Sequence, residues 1–359
     1  MSRFSVAKAR AIDDLESLIE ELLHASRKHK RTGLWNVANP YRAHAKPDQM
    51  CVWLTGNRRG AWKDYVSGDK GDAIDLVAYA LSGLVSDESR MDAVAWLEER
   101  YGLKDMDPVA KRRMEAEAKS RRMAAEARES ERRESNITRS RKFFYGCNET
   151  VTDTPVEAYL ASRGIALSAI PALGHAIRYR AECQYWMDDD RPFLPAMIHA
   201  MVTAEGRVAA NHYTFLQPDG SGKADVDKAK LMFPETTGLV IRLTNGAAGI
   251  GAEKAAAAGI SGLVGVVEGT EDGYSAAIAA PDLRMWATGS LSGLLSLPDH
   301  ASASGYIIFQ DNDWGKRQAQ GLFRRAVARI KGFGKPVEVI SMPASWGKDV
   351  NDAFKRRSW

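Results

Sequence analysis

The sequence predicts an α/β protein whose C-terminal part is a parallel sheet flanked by helices, preceded by a mixed α+β subdomain and a small β-rich module at the front. Three observations predict it. From Leu263 onward short apolar runs alternate with helical stretches, the pattern of strand–helix–strand units joined by right-handed crossovers. The front is loop-rich and aromatic, with Trp35, Tyr41, Trp53, Trp62 and Tyr65. Between them, residues 107–142 hold 12 Lys and Arg against 7 Asp and Glu with almost no bulky apolar side chain, which reads as a solvated helical linker.

In chain order, Ile12, Leu15, Leu18, Ile19, Leu22 and Leu23 recur at three- and four-residue spacing and predict one amphipathic helix from Val6 to Ser26. Gly56-Asn57-Arg58-Arg59-Gly60 has the composition of a hairpin turn. A helix opens near Gly71 with an acidic first turn, and another runs from Ala93 to Tyr101 before Gly102. Beyond the linker come a helix at Pro155–Leu160 and strand-like runs at Ala196–Val202 and Arg207–Phe215. The regular alternation then places strands at Leu263–Val267, Arg284–Ala287, Tyr306–Gln310 and Val337–Ile340, and a helix at Gln318–Lys331. The resulting division is 1–106, 107–145, 146–260 and 261–359.

A chain of 359 residues, 45% apolar, can fill several cores. No apolar run approaches the roughly 20 residues of a membrane span, and the N-terminus lacks the apolar centre of a secretory signal, so a cytoplasmic protein without membrane contact is expected. Cys51, Cys147 and Cys183 are too scattered for a disulfide framework or a CxxC metal site. The net charge is +4, and the linker's surplus of basic side chains is able to meet phosphates without regard to sequence.

Ligands of a parallel sheet gather at the carboxyl ends of its strands, and here those ends are acidic. One apolar run closes on Glu268-Gly269, another on Asp311-Asn312-Asp313, and Asp349 and Asp352 follow the last strand. Carboxylate oxygens suit hard divalent cations such as Mg²⁺ or Mn²⁺. Glu268, Asp272, Asp311, Asp313, Asp349 and Asp352 are therefore the candidate metal ligands, with Glu268, Asp311 and Asp313 as the catalytic set. Lys223, Lys228 and Lys230, in a glycine-containing stretch, suit a polyanion.

Glu-Gly closing one strand and Asp-x-Asp closing another, with crossover units between, resembles the TOPRIM domain of primases, topoisomerases and some nucleases, over about residues 261–355. Glu268-Gly269 with Asp272 resembles the primase form of the first motif, Asp311 and Asp313 match the Asp-x-Asp, and Asp349 resembles the later acidic position. Upstream, Pro195-Ala196-Met197, Gly206-Arg207-Val208 and Lys228-Ala229-Lys230-Leu231-Met232 look like the nucleotide-binding subdomain of DnaG-type primases, with Lys230 at the lysine that meets a triphosphate or template backbone. Gly269 is grouped with these phosphate-binding residues.

At the front, Asn39-Pro40-Tyr41-Arg42 and Trp62 through Val77 look like a primase zinc-binding module. The positions of its Cys and His ligands then fall on Asn39, Arg42, Asp64 and Ser67, which cannot make a thiolate and imidazole site. The expectation is a zinc-ribbon-like module without zinc, touching single-stranded DNA through Arg58, Arg59, Lys63 and Trp62.

The resemblance implies a DNA primase that makes short primers from nucleoside triphosphates on single-stranded DNA, of phage, plasmid or mobile-element type. The sequence has no Gly-x-x-x-x-Gly-Lys-Ser/Thr loop, so a replicative helicase would be a separate partner. A TOPRIM nuclease using the same carboxylates, or a non-catalytic single-stranded-DNA-binding replication protein, is the alternative.

Overall fold

A computed structural model describes residues 3–31, 33–104, 107–312 and 317–356. It divides into two compact units, 1–132 and 133–359. In the first, the single helix expected over 6–26 is two, α1 (Arg3–Asp13) and α2 (Leu15–Leu23), broken at Asp14. The break lets the two segments serve different cores. Val6, Ala7 and Ala11 pack with Val77, Val94 and Leu97, whereas Leu15, Ile19 and Leu23 pack with Trp35, Val52 and Trp62. The Asp14 carboxylate accepts the Tyr101 hydroxyl at 2.7 Å and so holds the corner.

A five-stranded antiparallel sheet follows in chain order, β1 (Lys30–Arg31), β2 (Leu34–Val37), β3 (Met50–Trp53), β4 (Trp62–Asp64) and β5 (Lys70–Gly71). The expected turn at 56–60 joins β3 to β4, which pair antiparallel. Helix α3 (Ala73–Ser82) starts at a capping box between Asp72 and Asp75, and α4 (Asp87–Arg100) at one between Ser86 and Ser89. Helix α4 begins six residues before Ala93, because its polar first turn carries no apolar periodicity while its cap does the nucleating. The charged segment is one helix of 38 residues, α5 (Pro108–Tyr145).

In the second unit, α6 (Pro155–Ser162) opens with Thr154 capping the Val156 amide and Pro155 in the first turn, where its missing N–H costs nothing. A four-stranded antiparallel sheet is built from β6 (Ile177–Gln184), β7 (Phe193–Val202), β8 (Val208–Phe215) and β9 (Lys230–Phe233) in that order. The C-terminal elements are β10 (Ile241–Arg242), α7 (Ala252–Ala257), β11 (Gly262–Val267), α8 (Thr270–Ala279), β12 (Arg284–Ala287), α9 (Leu291–Leu295), β13 (Ala303–Gln310), α10 (Arg317–Lys331), β14 (Val337–Ser341) and α11 (Val350–Arg356).

The second sheet of this unit has the order β10-β12-β11-β13-β14. Strands β12, β11, β13 and β14 are parallel, as expected, with helices covering the sheet. The added edge strand β10 is antiparallel and only two residues long, too short to show a period in the sequence. Alternate residues bury on opposite faces: Val264, Val266, Trp286 and Ile308 join Ala326 and Ile330 in one core, and Val267, Met285 and Ala287 join Tyr274 and Ala277 in the other. Strand β11 is central. The chain leaves it first for β12 on one side and then for β13 and β14 on the other, so a crevice opens at the carboxyl ends of β11 and β13. Among the described residues no helix is long and apolar enough to cross a membrane.

Candidate active site

The crevice is acidic. Glu268 follows β11, Asp311 follows β13, Asp272 sits in the first turn of α8, and Asp349 precedes α11. Burial pushes the Asp311 carboxyl up to about 7, helped by the negative charges of Asp272, Glu268 and Asp349. Asp272, 7% exposed, is likewise raised to about 7 by burial and then by Asp349, against the Asn351 amide that donates to it at 3.0 Å. Carboxylates from three chain segments are thus near enough that their negative charge opposes ionisation of Asp272 and Asp311. Asp313 lies outside the described residues.

The donors are all hard oxygens, and a cluster of like charges raised in this way is relieved by a divalent cation. Among the described residues no three carboxylate, imidazole or thiol groups already converge closely enough to hold an ion outright. Asp352 is turned elsewhere. Its carboxylate accepts the Lys348 amide at 3.1 Å, while Asp349 accepts the Asp352 amide at 2.9 Å, so the two close the start of α11.

Gly269 makes room for the Asp272 carboxylate. A Cβ built there would lie 2.3 Å from Asp272 Oδ2, so any side chain at 269 displaces that carboxylate. Two asparagines overlooked in the sequence fix the geometry. Asn312 donates its amide to Lys348 O at 2.7 Å and its side chain to Gly347 O at 2.8 Å, tying the Asp311 turn to the loop that carries Asp349. Asn351, fully buried, donates through Nδ2 to Arg163 O and Ser275 Oγ, each at 2.9 Å, and so joins α11 to α8 and the end of α6. Neither signals itself in the sequence, because its partners lie 35 to 188 residues away.

The lysines meet a residue the sequence reading passed over, Glu271. It is 3% exposed, accepts Lys230 Nζ at 2.8 Å and the Tyr159 hydroxyl at 2.6 Å, and has Lys223 Nζ at 4.0 Å. Burial pushes its carboxyl up, but Lys230, Tyr159 and Lys223 together outweigh that and hold it well below the usual range. Adjacent carboxylates in one helical turn are therefore driven in opposite directions, Glu271 toward permanent charge and Asp272 toward protonation, which separates a salt-bridged anchor from a cation-seeking group. Lys228 is exposed, and its amide donates to Tyr185.

In the first unit, the four positions assigned to zinc ligands do come together, around a carboxylate. Asp64, with no exposed side-chain surface, accepts Asn39 Nδ2 at 2.7 Å, Arg42 Nη2 at 2.9 Å, and the amides of Val66 and Ser67 at 2.7 and 3.1 Å. Asn39 also donates to the Tyr79 hydroxyl at 2.7 Å. A guanidinium on the central carboxylate and no thiolate or imidazole in the set do not fit zinc.

The expected DNA contacts separate by strand alternation. Trp62 points inward and is 1% exposed, so its ring is unavailable for stacking on a base. Arg59 is spent on Glu16, which it meets at 2.7 Å, and on Ile12 O. The opposite face carries Trp53 and Lys63, with the Arg58 guanidinium 5.5 Å from the Trp53 ring centre and Lys63 Nζ 4.9 Å from that of Tyr65. Arg31 and Lys70 are on the same face by register.

Residues 263–358 match the Toprim domain family, and residues 134–243 match a family described as a domain of unknown function, DUF7146. The C-terminal stretch is a Toprim domain. No curated protein matches the chain. Among solved structures it is similar to the DnaG catalytic core, at 14% identity over 62% of this chain and 75% of that one, with a TM-score of 0.41. A DNA primase domain from Pseudomonas aeruginosa matches at 14% identity over 62% and 74%, with a TM-score of 0.41. The primase fragment of the bacteriophage T7 primase-helicase protein matches at 13% identity over 58% and 74%, with a TM-score of 0.34.

Proposed function

We propose that this Toprim-domain chain is a DNA primase, a metal-dependent nucleotidyltransferase that makes short primers on single-stranded DNA from nucleoside triphosphates. The observation that carries the reading is that Glu268, Asp272 and Asp349 bring their charge to bear on Asp311 at the carboxyl ends of β11 and β13, with the Lys223 and Lys230 ammonium groups held on the neighbouring Glu271. Glu268 and Asp311, with Asp272 and Asp349, would hold Mg²⁺ or Mn²⁺, which when bound favours ionisation of an attacking 3′-hydroxyl and offsets charge on the transferred phosphoryl group and departing pyrophosphate.

The chain's own groups do the rest. Lys223 and Lys230 offer ammonium point charges to the phosphate tail. Asn312 and Asn351 hold the carboxylate-bearing turns in register. The outer face of the front sheet, with Trp53, Tyr65, Arg58 and Lys63, suits single-stranded DNA, since bases stack on aromatic rings while cations meet the backbone. A nuclease would use the same carboxylates; the paired lysines favour a triphosphate substrate.

The test is primer synthesis on single-stranded DNA with labelled nucleotides and Mg²⁺ or Mn²⁺, comparing the wild type with Asp311→Ala. New oligonucleotides from the wild type alone support the reading. Template degradation lost in the variant replaces it with a nuclease, and DNA binding without any reaction replaces it with a binding protein.

A further inference from the structure

Glu271 has an unusual combination of neighbours. It is a buried carboxylate in the first turn of α8, one residue from Asp272. Its oxygens accept three hydrogen bonds, from Tyr159 Oη on Oε1 and from Lys230 Nζ and Thr270 Oγ1 on Oε2, with Lys223 Nζ 4.0 Å from Oε1. The two lysines differ from it in exposure. Their side chains are 33% and 40% accessible, so the charges that Glu271 grips from below are open from above. Glu271 faces both ammonium groups, and Lys230 lies on β9 while Lys223 precedes it, so the pair closes across one loop.

We propose that Glu271 is a positioning residue that holds the Lys223 and Lys230 ammonium groups together as a clamp for the polyphosphate tail of a nucleoside triphosphate. This rests on the nucleotidyl-transfer reading for its substrate, and on geometry alone for the clamp. Two lysine side chains free to rotate repel each other and lose conformational entropy when a phosphate gathers them. A buried carboxylate beneath them meets that cost in advance. The Tyr159 hydroxyl fixes the carboxylate's other oxygen and keeps it from following the lysines outward.

The probe is inorganic tripolyphosphate, titrated calorimetrically into the full-length chain, with primer synthesis measured in parallel. Glu271→Gln keeps the acceptor for Tyr159 but removes the charge. We expect tripolyphosphate to bind on the order of tenfold more weakly to this variant, the loss of a hydrogen bond to a charged group. In primer synthesis, KM for nucleotide rises while kcat changes less. Glu271→Asp recovers part of the loss. In a Lys230→Met background Glu271→Gln adds little, because the carboxylate acts through that lysine.

Unchanged tripolyphosphate binding by Glu271→Gln, or additive losses with Lys230→Met, overturns the clamp. If Glu271→Gln does not fold, Lys223→Met and Lys230→Met decide: wild-type affinity in both overturns it, and a loss in each with a double variant that loses less than their sum supports it. A wild type that binds tripolyphosphate through the clamp yet makes no primer overturns the primase reading and leaves the clamp standing. Primer synthesis with an unmoved KM in Glu271→Gln does the reverse.

Discussion

Replacing Asp64 by alanine is expected to cost the first unit about 3–5 kcal/mol, the penalty for breaking a buried charged pair from one side. The structure sets which partners contribute. Of the four donors that converge on this carboxylate, the Val66 and Ser67 amides lie in an exposed turn where water can replace the lost acceptor. Asn39, 4% exposed, has no such recourse, whereas Arg42, whose side chain is 27% exposed, keeps some access to water and to Gln49 Oε1 at 3.4 Å. Asparagine at 64 keeps one acceptor oxygen and loses the charge, for about 1.5–3 kcal/mol. Against a typical stability of about 5–15 kcal/mol the alanine change is large.

Urea unfolding followed by tryptophan fluorescence reads this, since Trp35 and Trp62 are fully buried in the same core. The midpoint should fall with little change in slope. The wild type's transition should not move with a chelator, because this hydrogen-bonded carboxylate occupies the place of a metal. Burial raises the Asp64 carboxyl, but Asn39, Ser67, Val66 and Arg42 outweigh it and leave it below the ordinary range. Its contribution is therefore present above about pH 3.9 and lost as pH falls through the depressed folded value. A shift under about 1 kcal/mol in Asp64→Ala, or a chelator that lowers the wild-type midpoint, refutes the reasoning.

Trp53→Ala should weaken single-stranded DNA binding by about 1–3 kcal/mol in fluorescence anisotropy while leaving the unfolding midpoint nearly in place; Trp62→Ala should instead cost about 3–5 kcal/mol of stability, and equal DNA affinities for Trp53→Ala and wild type exclude that face. Asn312→Ala cuts the side-chain tie to Gly347, so primer synthesis should slow at least severalfold with nucleotide binding retained; an unaltered rate shows that Asp311 needs no such brace. Gly269→Ala should lower activity more than stability, because the added methyl meets Asp272 Oδ2, and a wild-type rate contradicts this. His199 and His212 are buried, and burial lowers them to about 3 and about 4. Unfolding releases them to charge near pH 6.5, so stability they support above that pH is lost on acidification, on the order of 2 kcal/mol each at pH 5; the His199→Gln/His212→Gln variant should show a flatter stability profile between pH 7 and 5 than the wild type, and an identical slope rejects the assignment.

Much of the C-terminal half is legible along the chain. Strands β11 to β14 are bounded by glycine, proline and acidic residues, and α10, the longest helix between them, is long enough to show a period. The rule that ligands sit at strand carboxyl ends then selects Glu268 and Asp311 without any coordinates. Local signals also mark α3, through the Asp72 and Asp75 capping box, and the β3–β4 turn. What they cannot carry is distance in sequence. Whether Lys230 faces water or a buried carboxylate depends on Glu271, 41 residues on, and whether Asp349 joins the acidic group or only closes α11 depends on the loop that Asn312 grips.

Trp53 and Trp62 look equivalent in the sequence. Pairing of Val52 with Trp62, and of Cys51 with Lys63, sends one ring into the core and the other to the surface. The residue types and the local backbone preferences are properties of short segments, and the sequence by itself determined them: helices, strands, caps and the acidic strand ends. Register, the antiparallel edge β10 and the company each charge keeps arise only when segments meet, because burial and Coulomb interactions depend on separations in space. For that reason the tertiary structure alone decided that Asp64 is a hydrogen-bonded anchor, that Glu271 grips two lysines, and that Asp272 is left facing other carboxylates.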